Sequence, residues 1–136
     1  MNLTIATIAK QINASFEGDA SLLIDAISID SRSLQNGPHT LFFALIGPNN
    51  DAHSYIIDLI QQGVTHFVVQ YIPEDCVGKA HFLVVQNTLA ALQELASYHR
   101  SLFHFPVIGV TGSNGKTIVK EWLNFLLSPD YSIIRS

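Results

Sequence analysis

The sequence predicts an α/β fold, and three observations carry that expectation. Apolar residues recur three and four apart in some segments, short β-branched or aromatic runs fill others, and the two kinds of segment alternate along the chain. At 136 residues there is room for about one ordinary domain, or for a small domain and the opening of a second. A content of 48% hydrophobic and 13% charged residues belongs to a chain that packs a core, not to a disordered one.

Taken in order, Ile5, Ile8, Ala9 and Ile12 share one face of a helix over 4–12. A turn follows at 15–18. Residues 22–24 and 26–29 read as extended, the second leading into Asp30-Ser31-Arg32, and Gln35-Asn36-Gly37-Pro38 signals a loop. The continuous apolar run over 40–46 has the length of a buried strand and closes on Gly47-Pro48. Tyr55, Ile56, Leu59 and Ile60 mark a helix over 55–62, with Gly63 placed to end it. Residues 65–70 form a strand, Pro73-Glu74-Asp75 a turn, and 82–85 a further buried strand. Thr88 is the expected cap of a long helix reaching about 103, with Leu89, Leu92, Leu95 and Ala96 facing inward. Beyond Pro106, residues 107–110 form a strand, followed by a glycine loop, a helix over 116–127 and a last strand at 132–134. The natural boundary falls near His104, giving domains over 1–104 and 105–136, with the second one incomplete.

A formal charge of −4 and seven dispersed Lys and Arg residues leave no basic stripe, which argues against nucleic acid as a partner. The single cysteine, Cys76, cannot close an intrachain disulfide and fits a reducing compartment. No apolar run approaches the roughly 18 residues of a membrane span. The first 14 residues read as an amphipathic helix and not as a secretion signal, so the expectation is a cytoplasmic protein without membrane contact.

The strongest chemical signal is Gly109-Val110-Thr111-Gly112-Ser113-Asn114-Gly115-Lys116-Thr117. A glycine-rich turn that opens a helix aims several backbone N–H groups at one point, and the helix dipole adds positive potential there. In such a loop Thr111 to Gly115 cradle phosphates, Lys116 meets the β- and γ-phosphates of ATP, and the Thr117 hydroxyl ligates Mg²⁺. The general phosphate-loop pattern wants a glycine where this chain has Val110; glycines stand instead at 109 and 112. The plainer alternative is a strand-to-helix turn whose lysine is simply solvated.

Other reactive residues read as structural. His99 and His104 are five apart, unlike ligands on one helix face, and His39, His66 and His81 show no ligand spacing with one another or with Cys76. Glu74 and Asp75 discourage a Cys76 thiolate. Trp122, on the helix after the loop, suits a core or domain contact better than a stacking platform.

Thr-Gly-Ser-Asn-Gly-Lys-Thr at 111–117 resembles the ATP loop of the Mur ligase family, which builds the peptide of bacterial cell-wall precursors. It is less similar to the related folylpolyglutamate synthetases, which usually continue Gly-Lys-Gly-Ser. Two further segments carry the resemblance: Ser28-Ile29-Asp30-Ser31-Arg32, and Leu41 to Gly47 followed by Asp51-Ala52-His53. Asp-Ala-His, with Lys116-Thr117-Ile118-Val119-Lys120-Glu121, is most similar to the branch that adds D-alanyl-D-alanine. The run from Val119 to Leu123 and Leu126-Leu127-Ser128-Pro129 is similar to such enzymes that some Bacteroidota fuse to an alanine racemase.

The resemblance implies a small mixed-sheet amino-terminal domain for UDP-MurNAc-peptide, followed by the first strand, loop and helix of a central domain that binds ATP and Mg²⁺. D-Ala-D-Ala would bind a carboxy-terminal domain beyond this stretch, which alone would not turn over ATP. By the same resemblance Ile29 and Ser31 line a uridine site, Asn49 and Asn50 face them, and Asp51 belongs to the same loop. Arg32 either meets the diphosphate or pairs with Asp30 or Asp51 to order the loops. His53 either bonds the ligand or caps the helix near Tyr55. The alternatives in function are a sister ligase adding one amino acid, a non-catalytic uridine-nucleotide module, and an unrelated phosphate-loop NTPase.

Overall fold

The first helix begins where the Thr4 side chain accepts a hydrogen bond from the Thr7 N–H (3.2 Å), and α1 runs Ile5–Gln11. It stops at Asn13, whose φ of 50° is tolerated by a short polar side chain, and the Ala14 N–H returns to the Ala9 carbonyl at 2.9 Å. The structure, a computed structural model, describes residues 2–32 and 39–135. The loop expected at Gln35-Asn36-Gly37-Pro38 lies outside them.

Among the described residues the strands form two sheets. A ribbon pairs β1 (Leu3–Thr4) antiparallel with β3 (Leu23–Ile24). The main sheet has the order β2-β7-β6-β5-β4, from Ser15–Phe16 (β2), Ala26–Ser28 (β4), Thr40–Phe43 (β5), His66–Val69 (β6) and His81–Val84 (β7). Strands β4 to β7 are parallel and β2 joins β7 antiparallel, so the sheet is mixed. The turn expected at 15–18 is therefore partly strand; two residues at an edge are too few to show a period of two.

The run expected over 40–46 leaves the ladder early because the Leu45 N–H bonds the Phe43 carbonyl at 3.0 Å and turns the chain. Its apolar continuity has a physical cause, since the sheet is covered on both faces. Leu41, Phe43, Val68 and Leu83 pack with Ile5 and Ile8 of α1 and with Ala91 and Leu95 of α3 (Thr88–Ser101). On the other face Phe42, Phe67 and Phe82 are in register across β5, β6 and β7, packed with Ile56 and Leu59 of α2 (Ile56–Gln61). Neighbouring rings meet at 6.1 Å and 5.7 Å.

A 3₁₀ turn over Ala52–Tyr55 precedes α2, so Tyr55 is not on its inner face but exposed before it. Gly63, at φ 94°, ends α2 as expected: its N–H bonds the Ile60 carbonyl while Val64 bonds that of Leu59. In α3 the cap is Asn87, whose Oδ1 accepts from the Ala90 N–H at 2.9 Å, and not Thr88. Of the residues expected to face inward, Leu95 is buried and Leu92 packs against the core, but Leu89 and Ala96 are exposed and Thr88 and Ala91 are buried instead.

The chain divides into two compact units, 1–103 and 104–136. In the second, α4 spans Lys116–Leu127, and no described residue of the unit is buried. The strands expected at 107–110 and 132–134 are absent, because a strand exists only by its ladder and no described residue pairs with either segment. Among the described residues no helix is long and apolar enough to cross a membrane.

Candidate functional site

Parallel strands send their following loops to one edge of a sheet, and ligands of open α/β sheets bind outside those carboxyl ends. Here β4 delivers residues 29–32 there, β5 delivers 44–51 and β6 delivers 70–75. Because β4 and β5 are neighbours, Ile29, Ser31 and Arg32 emerge from the strand beside the one that delivers Asn49, Asn50 and Asp51.

Arg32 pairs with Asp30. Its amide and Nε donate to Asp30 Oδ1 at 2.9 and 3.0 Å, and Nη2 donates to Oδ2 at 3.0 Å. Hydrogen bonds from the guanidinium, then from the Arg32 amide, hold the Asp30 carboxyl below its usual range. The Arg32 side chain remains open to solvent, at 88% exposure. Ile29 is exposed and Ser31 half-buried.

Residues 46–51 form a tight hairpin. Ile46 and Asp51 make an antiparallel bridge, the Gly47 N–H bonds the Asn50 carbonyl at 2.8 Å, and the Ala52 N–H bonds Leu45 at 3.0 Å. Asn50 Oδ1 accepts from the Tyr55 hydroxyl at 3.0 Å, leaving the amide N–H₂ as the group that can donate to a ligand carbonyl.

His53 sits under this hairpin with its side chain only 1% exposed. Its Nε2 accepts the Gln70 backbone N–H at 3.0 Å, so the ring proton resides on Nδ1 and is donated to Asp51 Oδ1 at 2.6 Å. Both ring nitrogens are thus committed inside the protein. The side chain that caps the 3₁₀ turn is that of Asp51, which accepts the His53 N–H at 2.9 Å. The second carboxylate oxygen accepts the Tyr71 hydroxyl at 2.7 Å, and the Tyr71 ring stacks on His53 with centroids 4.2 Å apart. Burial raises the Asp51 carboxyl, but hydrogen bonds from Tyr71 and from the His53 amide and ring outweigh it and leave the group below its usual range.

Tyr55 and Tyr71 were not legible as site residues. Tyr71 lies just past the end of β6, which was the available signal, but its contact depends on sheet register; Tyr55 ends the 3₁₀ turn, and its bond to Asn50 is local. A cavity of about 170 Å³ lies beside this cluster, with Ser54, Asp75 and Cys76 in its wall. Burial, then the hydrogen bond and charge of Asp75, push the Cys76 thiol up, so burial adds to the acidic neighbours in suppressing a thiolate. The register of β6 and β7 also stacks His66 on His81 at 4.9 Å, a pair the sequence spacing does not reveal.

In the second unit Gly115 immediately precedes α4 with φ 77°, and Gly112 has φ 144°, both in the region that favours glycine. No side chain caps α4, and a Cβ at Gly115 would meet open space. The N–H groups of Lys116, Thr117 and Ile118 precede the first bond of the helix, from the Val119 N–H to the Gly115 carbonyl at 2.9 Å, and so have no partner within it. Lys116 and Thr117 are the first two helical residues, and the Lys116 ammonium folds back to donate to the Gly112 carbonyl. Thr111, Ser113 and Asn114 are exposed along the same loop.

No protein-family model matches the chain. Individual relatives do. It is 36% identical over 121 residues to the UDP-N-acetylmuramoyl-tripeptide–D-alanyl-D-alanine ligase of Haemophilus influenzae, covering 89% of this chain and 26% of that protein. The crystal structure of MurF from Acinetobacter baumannii superposes with a TM-score of 0.82 at 28% identity, covering 96% of this chain and 28% of the other. The chain belongs to the Mur ligase family. This Mur ligase chain is MurF-like, although sister ligases are also similar. The UDP-N-acetylmuramoyl-L-alanyl-D-glutamate–2,6-diaminopimelate ligase of Bacteroides thetaiotaomicron is 36% identical over 108 residues, covering 78% of this chain and 22% of that protein. MurF from Thermotoga maritima, solved in complex with ADP, matches with a TM-score of 0.65 at 28% identity, over 80% of this chain and 24% of that one. The Mur ligase chain spans about a quarter of the length of these curated relatives.

Proposed function

We propose that this chain supplies the substrate-binding amino-terminal domain, residues 1–104, and the opening of the ATP-binding domain, residues 105–136, of a cytoplasmic MurF-type ligase. The whole enzyme would join D-alanyl-D-alanine to UDP-N-acetylmuramoyl-tripeptide. The observation that most supports this reading is the juxtaposition of 29–32 and 46–51 at adjoining parallel strand ends in a MurF-like sheet.

At that edge Ile29 offers apolar surface to a uracil ring, and Ser31, Asn49 and Asn50 offer hydrogen bonds to its edge. Arg32, already oriented by Asp30, presents the remaining guanidinium donors to the diphosphate. His53 and Asp51 serve by holding the hairpin. In the phosphate loop the backbone N–H groups, Lys116 and the helix dipole neutralise the phosphates of ATP. The exposed Thr117 hydroxyl is a hard oxygen donor of the kind Mg²⁺ takes alongside phosphate oxygens and water, so Mg²⁺ fits here and would supply further charge neutralisation. In the complete enzyme the substrate carboxylate attacks the γ-phosphorus of ATP, releasing ADP and forming an acyl phosphate. The amine of the dipeptide then displaces phosphate to form the amide. Positioning and charge neutralisation are what this chain contributes.

The test is calorimetric titration with UDP-N-acetylmuramoyl-tripeptide. Saturable binding is expected, weakened about threefold to tenfold by Ser31→Ala. A folded chain that does not bind would overturn the reading. The similarity to the diaminopimelate ligase favours a second reading, a sister ligase adding one amino acid. Offering the full-length enzyme D-alanyl-D-alanine and diaminopimelate in parallel separates the two.

A further inference from the structure

We propose that Tyr71 is a positioning residue for the substrate hairpin, fixing residues 46–51 through the Asp51 carboxylate without itself touching the ligand. The inference rests on the strand-end site proposed above and extends it to the loop after β6.

The geometry is a closed circuit between two loops. Tyr71 and His53 take opposite oxygens of one carboxylate, at 2.7 and 2.6 Å, so the group is held from both sides. The two rings that hold it lie face to face, 10° from parallel. His53 in turn is oriented by the Gln70 N–H, one residue before Tyr71. Gln70 and Tyr71 therefore determine where Asp51 can sit, from 20 residues away in sequence. Asp51 is also the base of the hairpin through its bridge to Ile46, with Asn49 and Asn50 directly before it. A displaced Asp51 moves both asparagines.

The titration properties agree with a strong bond at this point. The hydrogen bond to Asp51, then burial, then the carboxylate charge, push the Tyr71 hydroxyl above its ordinary value. Sequence type alone does not suggest the role, since Tyr71 is half exposed, at 49%, and lies outside every motif discussed above.

The deciding variant is Tyr71→Phe, which keeps the ring stack and deletes one hydroxyl. Three quantities are measured on the full chain: affinity for UDP-N-acetylmuramoyl-tripeptide, hydrogen exchange of the Gly47 and Ala52 amides, and the Asp51 carboxyl titration by NMR. The expected result is an affinity about fivefold to tenfold lower, faster exchange at both amides, and an Asp51 midpoint moved upward. Unchanged affinity alongside a shifted Asp51 midpoint would overturn the inference and leave the site intact. Lost affinity with unchanged amide exchange would also overturn it, because Tyr71 would then be a direct contact. Absence of saturable binding by the folded parent chain would remove the site itself, and the inference with it.

Discussion

The hairpin at 46–51 and the glycine-rich loop at 111–117 both lead into helices, yet they are held in different ways. The hairpin is held largely from another strand end: the Tyr71 hydroxyl and the Gln70 backbone N–H fix Asp51 and His53, while Tyr55, five residues on, fixes Asn50. The glycine-rich loop is shaped by its own backbone, with glycine at the positions of positive φ and a lysine closing on Gly112. One loop takes its form from tertiary structure, the other from local conformation. Removing a distant side chain should therefore disturb the first and leave the second unaffected, while a backbone substitution should do the reverse.

The largest effect should come from the core beneath the hairpin. Phe67 is fully buried at the centre of its aromatic row, and Phe67→Ala is expected to cost about 3–5 kcal/mol by urea denaturation. Phe125→Ala, at a side chain 78% exposed on α4, should change stability by less than about 0.5 kcal/mol. Equal costs would break the comparison.

Next in size is His53→Ala, which leaves the Gln70 N–H without its acceptor and takes the ring donor, though not the backbone one, from Asp51 Oδ1, at about 1–3 kcal/mol in the same assay. Acid should loosen this cluster in a defined window. The Asp51 pKa is lowered from 3.8 by folding, so its contribution is full above 3.8 and is lost as pH falls through the lower folded value. Hairpin amide protection should hold at neutral pH and decline only below 3.8. A decline centred near neutrality would assign the sensitivity to another group.

A smaller effect is expected from Gly115→Ala. No atom lies within 4 Å of the added Cβ, so the cost is that of holding φ at 77°, about 1–2 kcal/mol. Circular dichroism should report reduced helicity at the start of α4, with hairpin exchange unaltered.

The same distinction explains what the sequence revealed. The glycine turn and the limits of α4 were legible because glycine placement and helical periodicity are local properties. Asp30-Ser31-Arg32 and Asp51-Ala52-His53 were legible by residue type, but not the roles of Arg32 and His53 within them. Those roles depend on which partner is near. Tyr71 was invisible because its bond to Asp51 is created by β5 and β6 lying side by side. The inner face of α3 was half legible: Leu95 is buried and Leu92 packs against the core, but Thr88 and Ala91 complete the face in place of Leu89 and Ala96, because neighbouring positions lie about 100° apart around a helix. The strand expected over 107–110 had the right composition but no partner among the described residues.

The row of Phe42, Phe67 and Phe82 has a consequence for the strand-end loops as well as for stability. Sliding β5 by one residue along β6 would send Phe42 to the opposite face and move the loop that follows by about 3.3 Å. Asp51 would then lie out of reach of the Tyr71 hydroxyl. The three phenylalanines thus act as a vernier that sets the separation of the strand-end loops, so that a substitution wholly inside the core should part Asp51 from Tyr71.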